Sequence, residues 1–430
     1  MNRKTVIGLS MLLVAEAAGA MTLDETVSSS LSYHPAMSAA TQEQNVAERQ
    51  IQEAKSGYRP KISIEISSGH QWANNTTIRS FTNDGNDVHI NKADFLLRQS
   101  LYDGGLTGSR ISSAESGYKA AGYLVGERQQ DIITASVASH LNVLRSEELL
   151  VLAKSNLDAH RKYLEDIEDR ASQGVITETD AHHARARYAF ADASLMQQEE
   201  QYLVTRERYL EVVGIKAEGL RGVSRPVIPY ASLDEALQTT TNHPTVRQSA
   251  STVDQARANY EQTKSAFRPK LSFEVRSTVQ DTSASSDLSI YNPQSHETFA
   301  GLVASYDLSN GGADSARRDI TAAQQASAEE LYKLAARDIR EAIRTSWYTR
   351  AKTADRIPLL QNYTDSLEKV LADYVDQFSV NRRDLLDLLD RQVETFRAEA
   401  DLVNARYDLL IQDYTLLQVT GRLSGQFGIQ

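Results

Sequence analysis

The dodecapeptide SGYRPKISIEIS, Ser56 to Ser67, is written again as SAFRPKLSFEVR, Ser265 to Arg276. The likeness extends outward. Upstream, TLDETVSSSLSYHPAM (Thr22 to Met37) answers to SLDEALQTTTNHPTV (Ser232 to Val246); downstream, SLYDGG (Ser100 to Gly105) answers to SYDLSNGG (Ser305 to Gly312). Each block runs LDE, HP, RPK, Tyr-Asp and Gly-Gly in that order, at an offset of about 210 residues. A period so long means one large unit duplicated once, not a solenoid. The expected halves are residues 21–226 and 227–430, each holding a helix, a β-hairpin (61–103 and 270–308) and a long helical hairpin (105–213 and 312–420).

After each RPK the apolar period changes from helical to two. Ile62, Ile64 and Ile66 alternate with Ser63, Glu65 and Ser67; Leu271, Phe273 and Val275 alternate with Ser272, Glu274 and Arg276. Partner strands are expected near Val88 to Tyr102 and Glu297 to Leu308, across the polar stretches Asn74 to Asp87 and Asp281 to Ser295. Strands of roughly ten residues suit a tilted crossing of a bilayer. They equally suit two small soluble hairpins with one wet face. Four strands cannot close a transmembrane barrel, which needs at least eight, so a membrane reading requires several chains to share one. In either reading the RPK motif is a joint. Pro60 and Pro269 push the preceding residue out of the helical region. The pairs Gly104-Gly105 and Gly311-Gly312 permit the return from strand to helix.

Between the hairpins, helix formers prevail. From Leu106 to Ala171 no proline interrupts, and Leu150, Ala153, Leu157, His160, Leu164, Ile167 and Ala171 recur at spacings of three and four. At 1.5 Å per residue such a helix is on the order of 100 Å long, more than a globule can bury. SQGVITETD (Ser172 to Asp180) breaks it, and a return helix runs from about Thr177 to Val213. The second half repeats this with a helix from Ala313 to Val380, where Pro358 is expected to kink it, and a final helix carrying Leu386, Leu389, Val393, Phe396, Ala400, Val403, Tyr407, Leu410, Tyr414 and Leu417. Single helices are also expected over Thr22 to Gly57 and Ser232 to Phe267.

The first twenty residues read as a secretory leader: Arg3 and Lys4, an apolar run, then Ala18-Gly19-Ala20. With no cysteine, the chain has neither disulfides nor a thiol for a lipid anchor. A formal net charge of -11 disfavours a nucleic-acid surface. No catalytic constellation stands out. The nine His are scattered, and His182 and His183 are adjacent, so they cannot share one helix face as a metal pair does. No enzyme activity and no cofactor are expected.

The order leader, helix, RP, hairpin, GG, long helical hairpin, written twice, together with GVITETDAHHARARY and VNRRDLLDLLDRQ at the two helical turns, resembles the TolC-like outer-membrane channel family. The resemblance implies a mainly α fold with a β part: three chains share a twelve-stranded outer-membrane barrel, continued by a tunnel of antiparallel coiled-coil helices in the periplasm. It implies a passive duct, surrounded by outer-membrane lipid, that works with a periplasmic adaptor and an inner-membrane ABC or proton-driven transporter. By the same resemblance Asp387 and Asp390 line a constriction and set cation selectivity, and Thr179, Asp180 and Arg383 hold the tip shut. Phe378 stands where well-known members have a Tyr, and Asn381 where a Gly is usual, which implies fewer closed-state bonds. Read without the resemblance, Asp384, Asp387 and Asp390 are a solvated helix face.

Two cargoes fit. NRRDLLDLLDRQ leans toward type I secretion of large proteins with an ABC transporter; multidrug or small-molecule efflux with a proton-driven pump is the alternative. A structural periplasmic coiled coil is the reading from another class, which the paired hairpins disfavour, and a secreted hydrolase lacks a candidate site.

Overall fold

A computed structural model of the chain describes residues 20–74, 86–284, 294–380 and 382–429. The leader, most of both polar stretches (75–85 and 285–293) and Asn381 lie outside the described residues. The chain forms two compact units, Met1–Ala39, Gly126–His243 and Asp338–Gln430 in one, Ala40–Val125 and Pro244–Arg337 in the other.

The second unit is organised by a sheet of β1 (Lys61–Ala73), β2 (Asn86–Tyr102), β3 (Lys270–Ala284) and β4 (Gln294–Ser305). The strands lie in chain order and every neighbouring pair is antiparallel. The two expected hairpins are thus one sheet, joined through β2 and β3. Register follows the apolar alternation. Ile62, Ile64 and Ile66 oppose Leu97, Phe95 and Ala93, and Leu97 and Ala93 oppose Val275 and Val279. One face is therefore largely apolar. The other carries Glu274, to which Arg98 and Arg276 donate at 2.7 and 2.5 Å, and Asp94, which accepts from Thr278 at 2.6 Å. β1 and β4 end the sheet, each paired on one side only.

The joints behave as their chemistry demands. Gly104 and Gly105 have φ of 74° and 91°, and Gly311 and Gly312 of 70° and 87°, a region where side chains strain the backbone. Arg268 of the second RPK motif donates from Nη1 to the Gly104 carbonyl at 2.9 Å. Sequence reasoning ran single helices over Thr22 to Gly57 and Ser232 to Phe267. Both are interrupted. The first is α1 (Leu23–Tyr33) and α2 (Pro35–Lys55), followed by a 3-10 turn Ser56–Tyr58. In the second repeat the α-helices are α5 (Leu233–Leu237) and α6 (Pro244–Thr263), with 3-10 segments Gln238–Asn242 and Lys264–Phe267. The cause is the HP pair: His34 and His243 are extended (ψ 121° and 136°), as a residue before proline prefers, and each proline opens a new helix.

The long helices are α3 (Leu106–Ser172) and α7 (Ala313–Ser379), each of 67 residues; their return helices are α4 (Glu178–Val213) and α8 (Leu385–Val419). Pro358 lies inside α7 without ending it. On α8 the expected seam is incomplete. Leu386 is 38% exposed, while Leu388, Thr395, Leu402, Leu409 and Leu416, seven residues apart, are buried beside Leu389, Val393, Val403, Tyr414 and Leu417. One seam serves one neighbour; α8 bonds to α3 through Gln392 and Gln418, to α4 through Asp390 and to α7 through Arg406. It needs the second stripe because it packs on several sides.

Within this first unit an apolar cluster of Leu23, Val27, Ile133, Val137, Leu141, Tyr414, Leu417 and Leu423 joins α1, α3 and α8. Beside it, Thr26, His140 and Tyr209 are fully buried and linked through Thr26, whose Oγ1 is 2.9 Å from His140 Nδ1 and 3.0 Å from the Tyr209 hydroxyl. His140 Nε2 lies 3.0 Å from the Arg221 carbonyl, so it carries the proton and Nδ1 accepts. The 214–231 linker is tied down by a second network. Asp413 of α8 is wholly buried and accepts from Arg225 of the linker at 2.7 and 3.2 Å and from Arg350 of α7 at 2.5 Å. Removing one member of a buried ion cluster leaves charge without a partner, which costs about 3–5 kcal/mol. Asp413→Ala is therefore expected to lower the unfolding free energy, read from urea titration of helical circular dichroism, by an amount of that order. Arg225→Ala, at a half-exposed site where Arg350 remains, costs less.

Candidate functional site at the helical tips

The turn between α3 and α4 is set by Gly174, at φ 74°, with Val175 N donating to the Arg170 carbonyl at 2.9 Å. Thr177 and Asp180 then form a capping box: Asp180 N donates to Thr177 Oγ1 (3.3 Å), and Thr177 N and Oγ1 donate to Asp180 Oδ2 (3.1 and 2.7 Å). At the other turn Asp384 occupies the N-cap of α8 without a side-chain cap bond. Beneath both turns Ile167, Ala181, Ala184, Phe378, Leu385, Leu388 and Leu389 pack into one apolar cluster that joins the two hairpins.

Of the residues expected at the tip, Thr179 is exposed on the first turn of α4. Asp180 is engaged within its own hairpin by the capping box. Arg383 donates to Asp387 at 3.2 Å and lies over the Tyr374 ring at 4.0 Å, again within its own hairpin. The contacts that cross between hairpins join two of the expected residues, Asp390 and Phe378, to arginines that were not expected. Arg187 of α4 donates to Asp390 of α8 at 2.5 Å. Arg170 of α3 stacks over Phe378 at 5.1 Å, so the ring without a hydroxyl still receives a cation. Tyr163 donates to Gln392 at 3.3 Å, and Gln392 donates to Asn156 at 3.3 Å.

Sequence reasoning missed Arg187, although a signal existed. Arg187 is seven residues beyond Asp180, and Asp390 seven beyond Arg383. A step of seven returns to the same helix face two turns further on. A pairing of Arg383 with Asp180 would thus have a counterpart of reversed polarity one heptad away, Arg187 with Asp390.

The chemistry available here is electrostatic. Among the described residues no three His, Asp or Glu side chains are grouped to hold a metal ion. His160 of α3 is 2% exposed, and its Nδ1 has no hydrogen-bond partner. Burial, and then the nearby Arg187 charge, lower its pKa from 6.5 to about 4. The unfolded chain takes up this proton near pH 6.5 and the folded chain only near 4. Stability is therefore full above the upper value and falls as pH drops toward the lower. His140 and His243, lowered by burial, act in the same direction. From pH 7 to 5, His160 alone is expected to cost about 2 kcal/mol. Urea titrations at the two pH values should show that loss, and His160→Gln should remove most of it.

The fold is that of a solved outer membrane channel. The crystal structure of the Campylobacter jejuni CmeC outer membrane channel matches with a TM-score of 0.80 at 14% identity, over 93% of this chain and 86% of that one. A family model described as outer membrane efflux protein matches twice, over residues 26–214 and 234–422. The chain belongs to the outer membrane efflux protein family. Among its relatives, the outer membrane efflux protein BepC of Brucella suis is 25% identical over 88% of this chain and 80% of its own length. The outer membrane protein TolC of Escherichia coli is 22% identical over 98% and 86%. The alkaline protease secretion protein AprF of Pseudomonas aeruginosa is 23% identical over 94% and 85%.

Proposed function

We propose that the protein is the passive exit duct of a tripartite export system, resident in the outer membrane as a homotrimer, with its helical hairpins in the periplasm. The observation that carries this reading is the open four-stranded sheet with one apolar and one charged face. In lipid, such a sheet must find further strands, and its apolar face suits the bilayer while its charged face suits a water-filled lumen. A periplasmic adaptor and an energised inner-membrane transporter complete the system. We favour type I secretion of proteins with an ABC transporter, a reading supported by NRRDLLDLLDRQ and by the likeness to AprF along nearly the whole chain. Efflux of small molecules with a proton-driven pump is the second reading, favoured by the likeness to BepC. Deleting the gene separates them: loss of a secreted protein supports the first, and drug sensitivity with an unchanged secretome supports the second.

The membrane part of the reading is tested on β1. With Ile64 facing lipid, Ile64→Arg is expected to cost about 2–4 kcal/mol near mid-membrane and to deplete the protein from outer-membrane fractions. Ser63→Arg, facing the lumen, should be tolerated. Equal effects would contradict a bilayer setting.

At the tip, Asp387 and Asp390 are read as the constriction, with Thr179, Asp180, Arg383 and Phe378 around the closing contact. Each aspartate already has an arginine beside it, Arg383 and Arg187. Exposed pairs of this kind contribute only about 0–1 kcal/mol each, so the apolar cluster supplies most of the closing energy and the ion pairs set alignment and charge. Parting the hairpins breaks the Arg187–Asp390 bond and frees that carboxylate for the lumen. In planar bilayers, Asp387→Ala with Asp390→Ala should reduce cation selectivity and block by multivalent cations. Arg187→Gln should raise open-state occupancy by about two- to fivefold. A double-alanine channel with unchanged selectivity would make these aspartates plain surface charge.

A further inference from the structure

The charges on the polar face of the sheet are sorted by sign along the strands. At the end where the helices attach, one row across the sheet reads Lys61, Arg98, Glu274 and Gly301, and the next reads Ser63, Leu96, Arg276 and Phe299. Lys270, the first residue of β3, shares this face and opposes Ser305. Within the strands, this end of the face therefore holds four cations and one carboxylate, Glu274. The following row reverses the sign: Glu65, Asp94, Thr278 and Glu297, with Lys92 bonded to Asp94 at 2.8 Å. In a chain of formal net charge -11 the basic band is the exception.

It is also a departure from the duplicated pattern. In the two dodecapeptides Glu274 answers to Glu65 and Arg276 to Ser67. Lys61 opposes Arg98 whereas Lys270 opposes Ser305, so Ser305 is the counterpart of Arg98. Both arginines at Glu274 thus stand where the other half has serine. The Glu274 side chain is 3% exposed and accepts from Arg98 Nε at 2.7 Å, Arg276 Nη2 at 2.5 Å and Ser272 Oγ at 3.2 Å. One carboxylate balances one guanidinium and leaves the second charge over. Each guanidinium has five N–H donors, and among the described residues neither makes a bond beyond the one to Glu274, although both side chains are about half exposed. Lys61 is set directly opposite Arg98, a like-charge placement that costs stability. Lys61 and Lys270 are exposed and, among the described residues, form no ion pair.

We infer that this band is an anion-binding station of the lumen, and that it receives acidic segments of the exported polypeptide as they pass from helices to sheet. Glu274 is a positioning residue, holding two guanidinium groups side by side with donors to spare. Such forks match carboxylates in bidentate geometry, and the two lysines add charge without a fixed direction. A lumen with low-dielectric walls focuses the field of these groups and concentrates the opposite charge, as rings of Arg and Lys do in anion pores. From Lys270 to Arg276 the band extends about 20 Å along β3, the span of about six residues of extended peptide. The acidic row beyond repels the same carboxylates and confines them to the helical end. The inference rests on the duct reading and adds the chemistry of its cargo.

The test uses full-length protein in planar bilayers with hexaglutamate in the bath. The peptide should block conductance, and the block should weaken as salt rises. Lys61→Gln/Lys270→Gln breaks no bond described above and should raise the half-blocking concentration about tenfold, whereas Lys61→Arg/Lys270→Arg should keep it within about twofold. Citrate, with the same carboxylates but too short to span the band, should block far more weakly. Block by hexalysine, which reads the tip aspartates, should be the same in all variants. A half-blocking hexaglutamate concentration unchanged in the glutamine pair, or citrate as effective as the peptide, overturns the station while leaving the duct intact. Wild-type protein that forms no conducting channel overturns the duct reading and the station with it.

Discussion

Among the described residues, two rows of backbone amides and carbonyls, along the outer edges of β1 and β4, have no strand partner within the chain. In water such edges are tolerable; in hydrocarbon each unsatisfied group costs several kcal/mol, and only closed sheets or helices persist. That single constraint accounts for much else. The apolar face of the sheet has no internal core to cover it, and Ile62, Ile64 and Ile66 remain 62–79% exposed. On the charged face, by contrast, Arg98 and Arg276 both donate to Glu274. Membership of the outer membrane efflux protein family gives this asymmetry its setting.

The helical unit holds its long helices together in two different ways. Permanent attachment is concentrated in buried polar networks, Asp413 with Arg225 and Arg350, and Thr26 with His140 and Tyr209. These groups are costly to separate because nothing replaces their partners. The tip is held differently. Its inter-hairpin ion pair, Arg187–Asp390, is solvent-exposed on both sides and cheap to break. The buried His160 behind it makes the packed tip sensitive to acid, because the packed state disfavours the imidazolium.

Much of this was legible in the residues. The helix Leu106 to Ala171 was expected within one residue of its observed end, since proline, Gly174 and the Thr177 cap mark their positions by local chemistry. The alternation of Ile62 to Ser67 fixed which side chains share a face. The HP interruptions were visible as motifs but read through, because the surrounding amphipathic pattern continues across them. What remained hidden was set by partners rather than by local rules. The second buried stripe of α8 exists because several helices pack on it, and Leu386 is outside both stripes. Arg187 carried only a spacing, seven residues beyond Asp180; the fold is what brings it to Asp390. The joining of two hairpins into one sheet was likewise a tertiary fact.

Hydrogen–deuterium exchange on the full-length protein in lipid tests the central claim, that the edges of this sheet are closed by other copies. The account predicts that β1 and β4 amides are protected as strongly as those of β2 and β3. Edge strands that exchange orders of magnitude faster than the two central strands would contradict it.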